Sequence, residues 1–183
     1  RDDGLRIVTV RIPSEKKVYM RFTARAGSAY DPEHKQGLHH YFEHLAFKGT
    51  KNRTIDDLNT FRTRHILSAG ASTRRMHTQY SGETIHSEWR ALADYLSDIY
   101  CHSIFPADEI EREKEVVCNE IARDWDQDNY VAFCALWQNL WKENPLRRHG
   151  VGTFEGVRNV TQEDICTVNE IWHKPQNTIV AAV

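Results

Sequence analysis

The sequence predicts an α+β fold in which a largely antiparallel sheet packs against several helices, with residues 1–183 forming a single domain. Three observations predict this class. Strand-like patterns occur near both ends and in the middle of the chain, amphipathic helical patterns lie between them, and no internal repeat is present. A chain of 183 residues is also long enough to bury one good-sized core.

The strand predictions rest on β-branched or alternating apolar residues. Residues 5–10 (LRIVTV) and 17–26 (KVYMRFTARA) are separated by Pro13 and its polar neighbours, which predicts that these two strands form an antiparallel pair. Residues 70–83 have the pattern of a polar strand or ribbon, and residues 178–183 form a final apolar strand. The sheet is therefore expected to contain mainly antiparallel hairpins.

Six helices are predicted from the 3.6-residue apolar period and from signals at helix ends. Thr54 with Asp57, and Thr161 with Asp164, resemble capping boxes at two helix starts. The aromatic residues between 125 and 141 are expected to lie in the core. The predicted helices run from residue 38 to Gly49, from 54 to 66, 86 to 100, 106 to 125, 128 to 142 and 161 to 172.

Composition and charge argue against two classes of partner. The 24 basic and 26 acidic residues give a net charge of −2 without a long run of either sign, so no electrostatic surface for nucleic acid is indicated. No apolar run approaches the roughly 20 residues that cross a bilayer. We therefore expect no nucleic-acid partner and no membrane association.

The four cysteines do not indicate a disulfide framework. They lack a CxxC pair and lie on predicted helices, which is typical of a reducing compartment and slightly favours the cytoplasm. A periplasmic or organellar location remains open. The sequence also leaves open whether these 183 residues are the whole gene product.

A short segment of the first predicted helix has the pattern of a metal site. His40 and His44 lie one helical turn apart, so both imidazoles can face one ion. Glu43 is left free to act on a bound water as a general base, because a helix cannot easily bring three adjacent side chains onto one ion. The order His-x-x-Glu-His is an inverted zinc-peptidase signature. Taken alone, it could equally be a pair of solvated histidines, since the chain has ten.

A third ligand must come from elsewhere, because a catalytic zinc usually has three protein ligands and a water. Glu120 is the candidate, and Glu113 lies seven residues earlier on the same predicted helix, so both carboxylates project from one face. One can bind the ion while the other supports a ligand histidine. Without the first motif, a surface helix with salt bridges would be the favoured interpretation.

Together these segments resemble a known family. GLHHYFEHLAFKGT followed by EREKEVVCNEIARD is similar to the N-terminal catalytic half of the pitrilysin, insulysin and mitochondrial processing peptidase superfamily of zinc metallopeptidases. His44 and Glu120 are 76 positions apart, in line with the family spacing. The resemblance implies one zinc ion bound by His40, His44 and Glu120. It also implies that Glu43 is the base and Glu113 a supporting carboxylate.

The resemblance further implies a substrate-binding strand. In the family, the ribbon before His77 offers an edge strand to an extended peptide, which here corresponds to Ala71, Ser72 and Thr73. The family usually has Asn-Ala where this sequence has Gly70-Ala71, which would remove one polar contact with substrate. A plain edge strand without a ligand remains an alternative.

Family members enclose a chamber between two homologous halves, of which this chain resembles the first. A homologous C-terminal half, a partner subunit or a homodimer is therefore expected to complete it. The implied function is a zinc-dependent endopeptidase that acts on extended or unfolded peptides. Two alternatives stay open: a non-catalytic or scaffold subunit of a two-subunit processing peptidase, and a zinc hydrolase with a non-peptide substrate.

Overall fold

Groups of strands and groups of helices follow one another along residues 2–183, the part of the chain that the computed structural model describes. Among these residues, no helix is both long enough and apolar enough to cross a bilayer. The strands are β1 (Arg6–Thr9), β2 (Lys17–Ala24), β3 (Ser68–Thr73), β4 (Thr78–Ile85) and β5 (Thr178–Ala182). The helices are α1 (Leu38–Leu45), α2 (Ile55–His65), α3 (Trp89–Cys101), α4 (Ala107–Trp125), α5 (Asp128–Leu140), α6 (Phe154–Arg158) and α7 (Gln162–Trp172).

The sheet has the strand order β1-β5-β2-β4-β3. As predicted, most pairs are antiparallel: β2 pairs with both β4 and β5, and β3 pairs with β4. The α+β class is therefore confirmed. At one end of the sheet β1 lies beside β5, and at the other end β3 has an open edge.

The predicted antiparallel pair of residues 5–10 with residues 17–26 is wrong. Strand β5 lies between them, and β1 pairs with β5 in parallel, with Arg6 opposite Ile179. Burial accounts for the arrangement, because all four residues of β1 are exposed whereas Thr178 and Val180 of β5 are buried. The more deeply buried strand occupies the interior of the sheet, and the segment between β1 and β2 lacks the two-residue turn that would fix a hairpin.

The six predicted helices are present, with small shifts at their ends. Residues 86–88 form a 3-10 turn, so that α3 begins at Trp89, and α4 begins one residue after Pro106. Both capping boxes are formed, at Thr54 and at Thr161. The five-residue helix α6 is the element that the apolar period does not predict, because it is too short to display one.

The helices form two layers of core. The first cluster lies between the sheet and α3 and includes Met20, Tyr80, Leu92, Leu96 and Ile99. The second joins α1, α4, α6 and α7 and includes Leu38, Tyr41, Leu45, Val117, Ile121, Val157 and Ile165. Because the second cluster fixes α1 against α4, it sets the distance between the two helices that carry the predicted metal ligands.

The expectation that the aromatic residues from 125 to 141 lie in the core is wrong. Trp125, Phe133 and Trp141 are 39%, 47% and 39% exposed. The physical reason is that the apolar residues of α5 surround the helix, while the protein covers only one side of it. On that covered side Cys134 is buried.

Candidate metal centre

The start of α1 is held by an acidic residue from the preceding loop. Gly37 precedes the helix with a φ of 104°, in the left-handed region that favours glycine, and it offers no side-chain cap. Instead, the buried carboxylate of Asp31 accepts hydrogen bonds from the backbone N–H groups of Gly37 (2.7 Å) and His39 (3.0 Å). Asp31 also contacts the Nδ1 atom of His39 at 2.6 Å. Sequence reasoning missed this cap because Asp31 is outside the usual capping spacing.

The three predicted zinc ligands converge on one point. The Nε2 atoms of His40 and His44 are 3.3 Å apart. Oε2 of Glu120 lies 3.3 Å from Nε2 of His44, and Oε1 lies 3.9 Å from Nε2 of His40. Among the described residues, these three form a group whose ligand atoms all lie within 4.8 Å of one another. Two imidazoles and a carboxylate are a donor set that suits a catalytic zinc ion.

The pKa values of the two histidines in this cluster shift in opposite directions. Burial, together with the neighbouring His44, lowers the pKa of His40 to about 4. Burial also opposes a charge on His44, but hydrogen bonds to Glu113 and Glu120 outweigh it and raise the pKa of His44 to about 9. The hydrogen bond to His44 lowers the pKa of Glu120 in turn. In the metal-free protein at neutral pH, His44 is therefore positively charged and lies between two carboxylates.

Glu113 lies behind His44, on the side away from the other two ligands. Its Oε1 atom is 2.9 Å from Nδ1 of His44, and the residue is 5% exposed. Its other oxygen, Oε2, is 2.5 Å from Nζ of Lys48. Lys48 was not singled out from the sequence, because it lies in the turn after α1 and meets Glu113 only through the packing of distant segments.

Glu43 is buried beside the ligand cluster without joining it. Its Oε2 atom accepts a hydrogen bond of 2.6 Å from Oγ1 of Thr73. Burial raises the pKa of the Glu43 carboxyl, and the hydrogen bonds from the hydroxyl and backbone N–H of Thr73 partly offset that effect. A carboxylate with a raised pKa can both accept and return a proton near neutral pH.

The open edge of β3 ends at this carboxylate. Arg74, the residue after β3, donates its backbone N–H to the carbonyl of His77. Because bonded and non-bonded pairs alternate along an antiparallel ladder, Ser72 bonds to β4, whereas the N–H and C=O of Ala71 and Thr73 face the open edge. The edge can therefore accept a further strand that runs towards Glu43.

A cavity of about 530 Å³ brings these groups together. The three ligands, Glu43 and the edge residues Ala71, Ser72 and Thr73 all line it. Its outer wall includes Tyr130 and Phe133 from α5, which sequence reasoning had assigned to the core. Arg75 stacks on Phe133 at 5.1 Å and on Trp137 at 4.0 Å, which ties the β3–β4 hairpin to α5.

Comparison with known proteins supports one family. Residues 6–154 match the family model described as Insulinase (Peptidase family M16). The mitochondrial-processing peptidase subunit beta of Saccharomyces cerevisiae is 29% identical over 163 residues, which cover 89% of this chain and 35% of that protein. An uncharacterized zinc protease of Rickettsia felis is 27% identical over 161 residues, which cover 88% of this chain and 39% of that protein.

Solved structures share the fold. The peptidase M16 inactive domain from Pseudomonas fluorescens matches with a TM-score of 0.88 and 15% identity, over 99% of this chain and 44% of that one. The chain spans between a third and two fifths of the length of the two curated relatives. The family model covers most of the chain, and the resemblance noted in the sequence is confirmed. The chain belongs to the insulinase family, peptidase family M16.

Proposed function

We propose that residues 1–183 form the zinc-binding catalytic half of a metalloendopeptidase that hydrolyses extended or unfolded peptides. The observation that carries this proposal is the position of Glu43, which lies beside the three-residue cluster and at the end of an open sheet edge. Membership of a peptidase family supports hydrolysis, and the name of the Rickettsia relative supports zinc.

The metal would be held by His40, His44 and Glu120, whose donor atoms suit it. When bound, a zinc ion supplies Lewis-acid chemistry, polarising a carbonyl and making a water molecule more acidic. With the metal bound, Glu113 would accept the Nδ1–H of the neutral His44 ring, whose Nε2 lone pair would then be directed at the ligand cluster.

Glu43 would then move the proton. It accepts a proton from the attacking water, whose oxygen bonds to the carbonyl carbon of the substrate. When the C–N bond breaks, Glu43 returns that proton to the leaving amine. Thr73 holds the carboxylate in place through the 2.6 Å hydrogen bond. Burial suits Glu43 to this work, because it raises the pKa of the carboxyl towards the working pH.

The peptide would bind by adding a strand to β3. The outward N–H and C=O of Ala71 can pair with the peptide backbone, and Ser72 and Thr73 continue the same edge towards the base. Backbone pairing depends little on side chains, so this mode suits substrates that are extended and varied in sequence.

A second half is proposed to complete the chamber. The chain spans only part of its relatives, and the yeast relative is named as a subunit. A homologous C-terminal half, a partner subunit or a second copy of this chain would close the open side of the cleft. Activity is therefore to be measured on the protein together with whatever half completes it.

The main alternative is a non-catalytic subunit. The matching domain from Pseudomonas fluorescens is named as inactive, so the fold alone does not imply chemistry. Against this interpretation, the chain has every residue of the proposed site, and the structure places them close together in space: His40, Glu43, His44, Glu113 and Glu120. A subunit of this kind would contain no stoichiometric zinc after purification.

The deciding experiment is Glu43→Gln, which preserves shape and removes the base. We expect the variant to retain one zinc ion per chain and to lose at least about a hundredfold in peptide hydrolysis. Glu115→Gln, on the exposed face of α4, is the matched control and should remain fully active. Retained turnover in Glu43→Gln would contradict the proposal. A wild-type protein that binds zinc but cleaves no unfolded peptide would favour a non-peptide substrate.

A further inference from the structure

The carboxylate of Glu113 is divided between two partners. Oε1 is 2.9 Å from Nδ1 of His44, and Oε2 is 2.5 Å from Nζ of Lys48. The side chain of Glu113 is 6% exposed, so water cannot replace either partner freely. A buried carboxylate needs a compensating charge or hydrogen bonds to be stable, and Lys48 supplies both.

With both oxygens bonded, the carboxylate group cannot rotate without breaking a contact. Oε1 therefore stays opposite Nδ1 of His44, and the ring of His44 keeps its orientation. In that orientation Nε2 of His44 faces Nε2 of His40 at 3.3 Å and Oε2 of Glu120 at 3.3 Å. The ion pair of Lys48 is with Glu113 and not with a proposed ligand, so its effect on the cluster would pass through Glu113.

The ion pair between Lys48 and Glu113 also connects two elements of the fold, because Lys48 lies just after α1 and Glu113 lies on α4. Helix α1 ends at Leu45, and the following turn returns the backbone N–H of Lys48 to the carbonyl of Leu45 at 3.1 Å. From this turn the Lys48 side chain reaches across to α4, which carries both Glu113 and Glu120. The ion pair thus joins the segment that supplies two ligands to the helix that supplies the third.

We propose that Lys48 is a positioning residue of the metal centre: it fixes the Glu113 carboxylate, and through it the orientation of His44 and the spacing of α1 from α4. This inference rests on the proposed function, because it concerns the same zinc site. It adds a residue that is neither a ligand nor a base.

The test compares the zinc affinity of two variants. Lys48→Met keeps an unbranched side chain but removes the charge, whereas Lys48→Arg keeps a positive charge. Zinc affinity is measured by competition with a chromophoric chelator, and Co²⁺ is used as a spectroscopic substitute. We expect Lys48→Met to bind zinc at least about tenfold more weakly and to alter the Co²⁺ visible spectrum, with Lys48→Arg recovering most of the affinity. Lys114→Met, which breaks an ion pair with Glu111 elsewhere on α4, should leave both unchanged.

A double mutant tests the route of the effect. If Lys48 acts through Glu113, then Lys48→Met should weaken zinc binding no further in a Glu113→Gln background. The double mutant also leaves no unpaired buried charge, so it should fold even if Lys48→Met alone does not.

Two results would overturn the proposal: Lys48→Met with the affinity and Co²⁺ spectrum of the wild type, or an undiminished effect of Lys48→Met in the Glu113→Gln background. Either result leaves the proposed function standing if the wild type binds one zinc ion. A wild-type protein that binds no zinc would overturn the proposed function and this inference together.

Discussion

Thr73 donates its hydroxyl hydrogen to Glu43 across 2.6 Å, which links the last residue of β3 to the last turn of α1. The same threonine also faces the cavity that the metal cluster lines. The strand proposed to hold the peptide and the proposed base are thus in direct contact. A peptide that lies along the edge of β3 would therefore be delivered to the base without any further element to guide it.

Replacing Thr73 by Val keeps the side-chain shape and removes the donor to Glu43. We expect kcat to fall about tenfold or more, because a hydrogen bond to a charged group contributes about 1.5–3 kcal/mol. KM should change little, since the backbone of the strand is intact. Thr73→Ser retains the hydroxyl and should keep most of the activity. An unchanged kcat in Thr73→Val would show that the hydrogen bond from Thr73 does not assist Glu43 as the base.

Zinc binding at pH 7 is expected to release about one proton from His44. The pKa of His44 is raised to about 9, so the ring is charged in the metal-free protein, and a zinc ligand must be neutral. His40, with its pKa lowered to about 4, is already neutral and contributes none. Affinity should therefore rise about tenfold for each pH unit between about 6 and 8.

Calorimetry of zinc binding in buffers of different ionisation enthalpy measures this proton directly. In Glu113→Gln, which removes one of the two carboxylates that raise the pKa of His44, fewer protons should be released at pH 8. Release close to zero in the wild type at pH 7 would contradict the expected charge on His44.

Asp98 should stabilise the protein above about pH 4 and lose that effect in acid. Burial opposes its charge, but hydrogen bonds from Asn52, Arg53 and Thr50 outweigh burial and lower the pKa. A carboxyl with a lowered folded pKa adds stability above its unfolded value of about 3.9, and loses it as the pH falls through the folded value. Asp98→Asn should cost about 3 kcal/mol at pH 7, because it leaves Arg53 without its buried partner.

Urea unfolding at several pH values measures the Asp98 effect. Asp94, the other partner of Arg53, is 55% exposed in its side chain and provides the control. Asp94→Asn should cost less than about 1 kcal/mol at pH 7. If both substitutions lower the free energy of unfolding by the same amount at pH 7, the burial of Asp98 does not explain its contribution to stability.

Asp31→Ala is expected to weaken zinc binding as well as stability, because Asp31 caps the helix that carries two of the ligands. The loss of a cap costs about 1–2 kcal/mol of unfolding free energy. Thr161→Ala removes the N-cap side chain of α7, which carries none of the proposed ligands. It should reduce stability, measured by urea unfolding, without changing zinc affinity. Equal effects on zinc affinity would show that the Asp31 cap has no special role in the site.

Sequence reasoning found the features that depend on local spacing. The turn between His40 and His44, the two turns between Glu113 and Glu120, and the capping box at Thr54 each follow from helix geometry. Those patterns predict an element or a shared face of a helix. The structure then adds which faces meet.

Contacts between distant segments were beyond such reasoning. Lys48 meets Glu113, and Thr73 meets Glu43, only because α1 packs against α4 and β3, and no spacing along the chain encodes that packing. Phe133 was wrongly predicted to lie in the core for the same reason, because an apolar side chain does not by itself show whether a neighbouring element covers it. The pairing of β1 with β5 is likewise a property of the assembled sheet.

The place of β5 in the interior of the sheet has a consequence for how the protein folds. Until β5 has been synthesised, β1 has no partner and β2 can pair only with β4, because Arg6 pairs with Ile179 and Phe22 with Val180. Pairings between such distant residues are slow to form, since the loops that they close are long. A nascent chain stopped before Thr178 would therefore lack an interior strand, leaving β1 unpaired and one edge of β2 open, which invites aggregation.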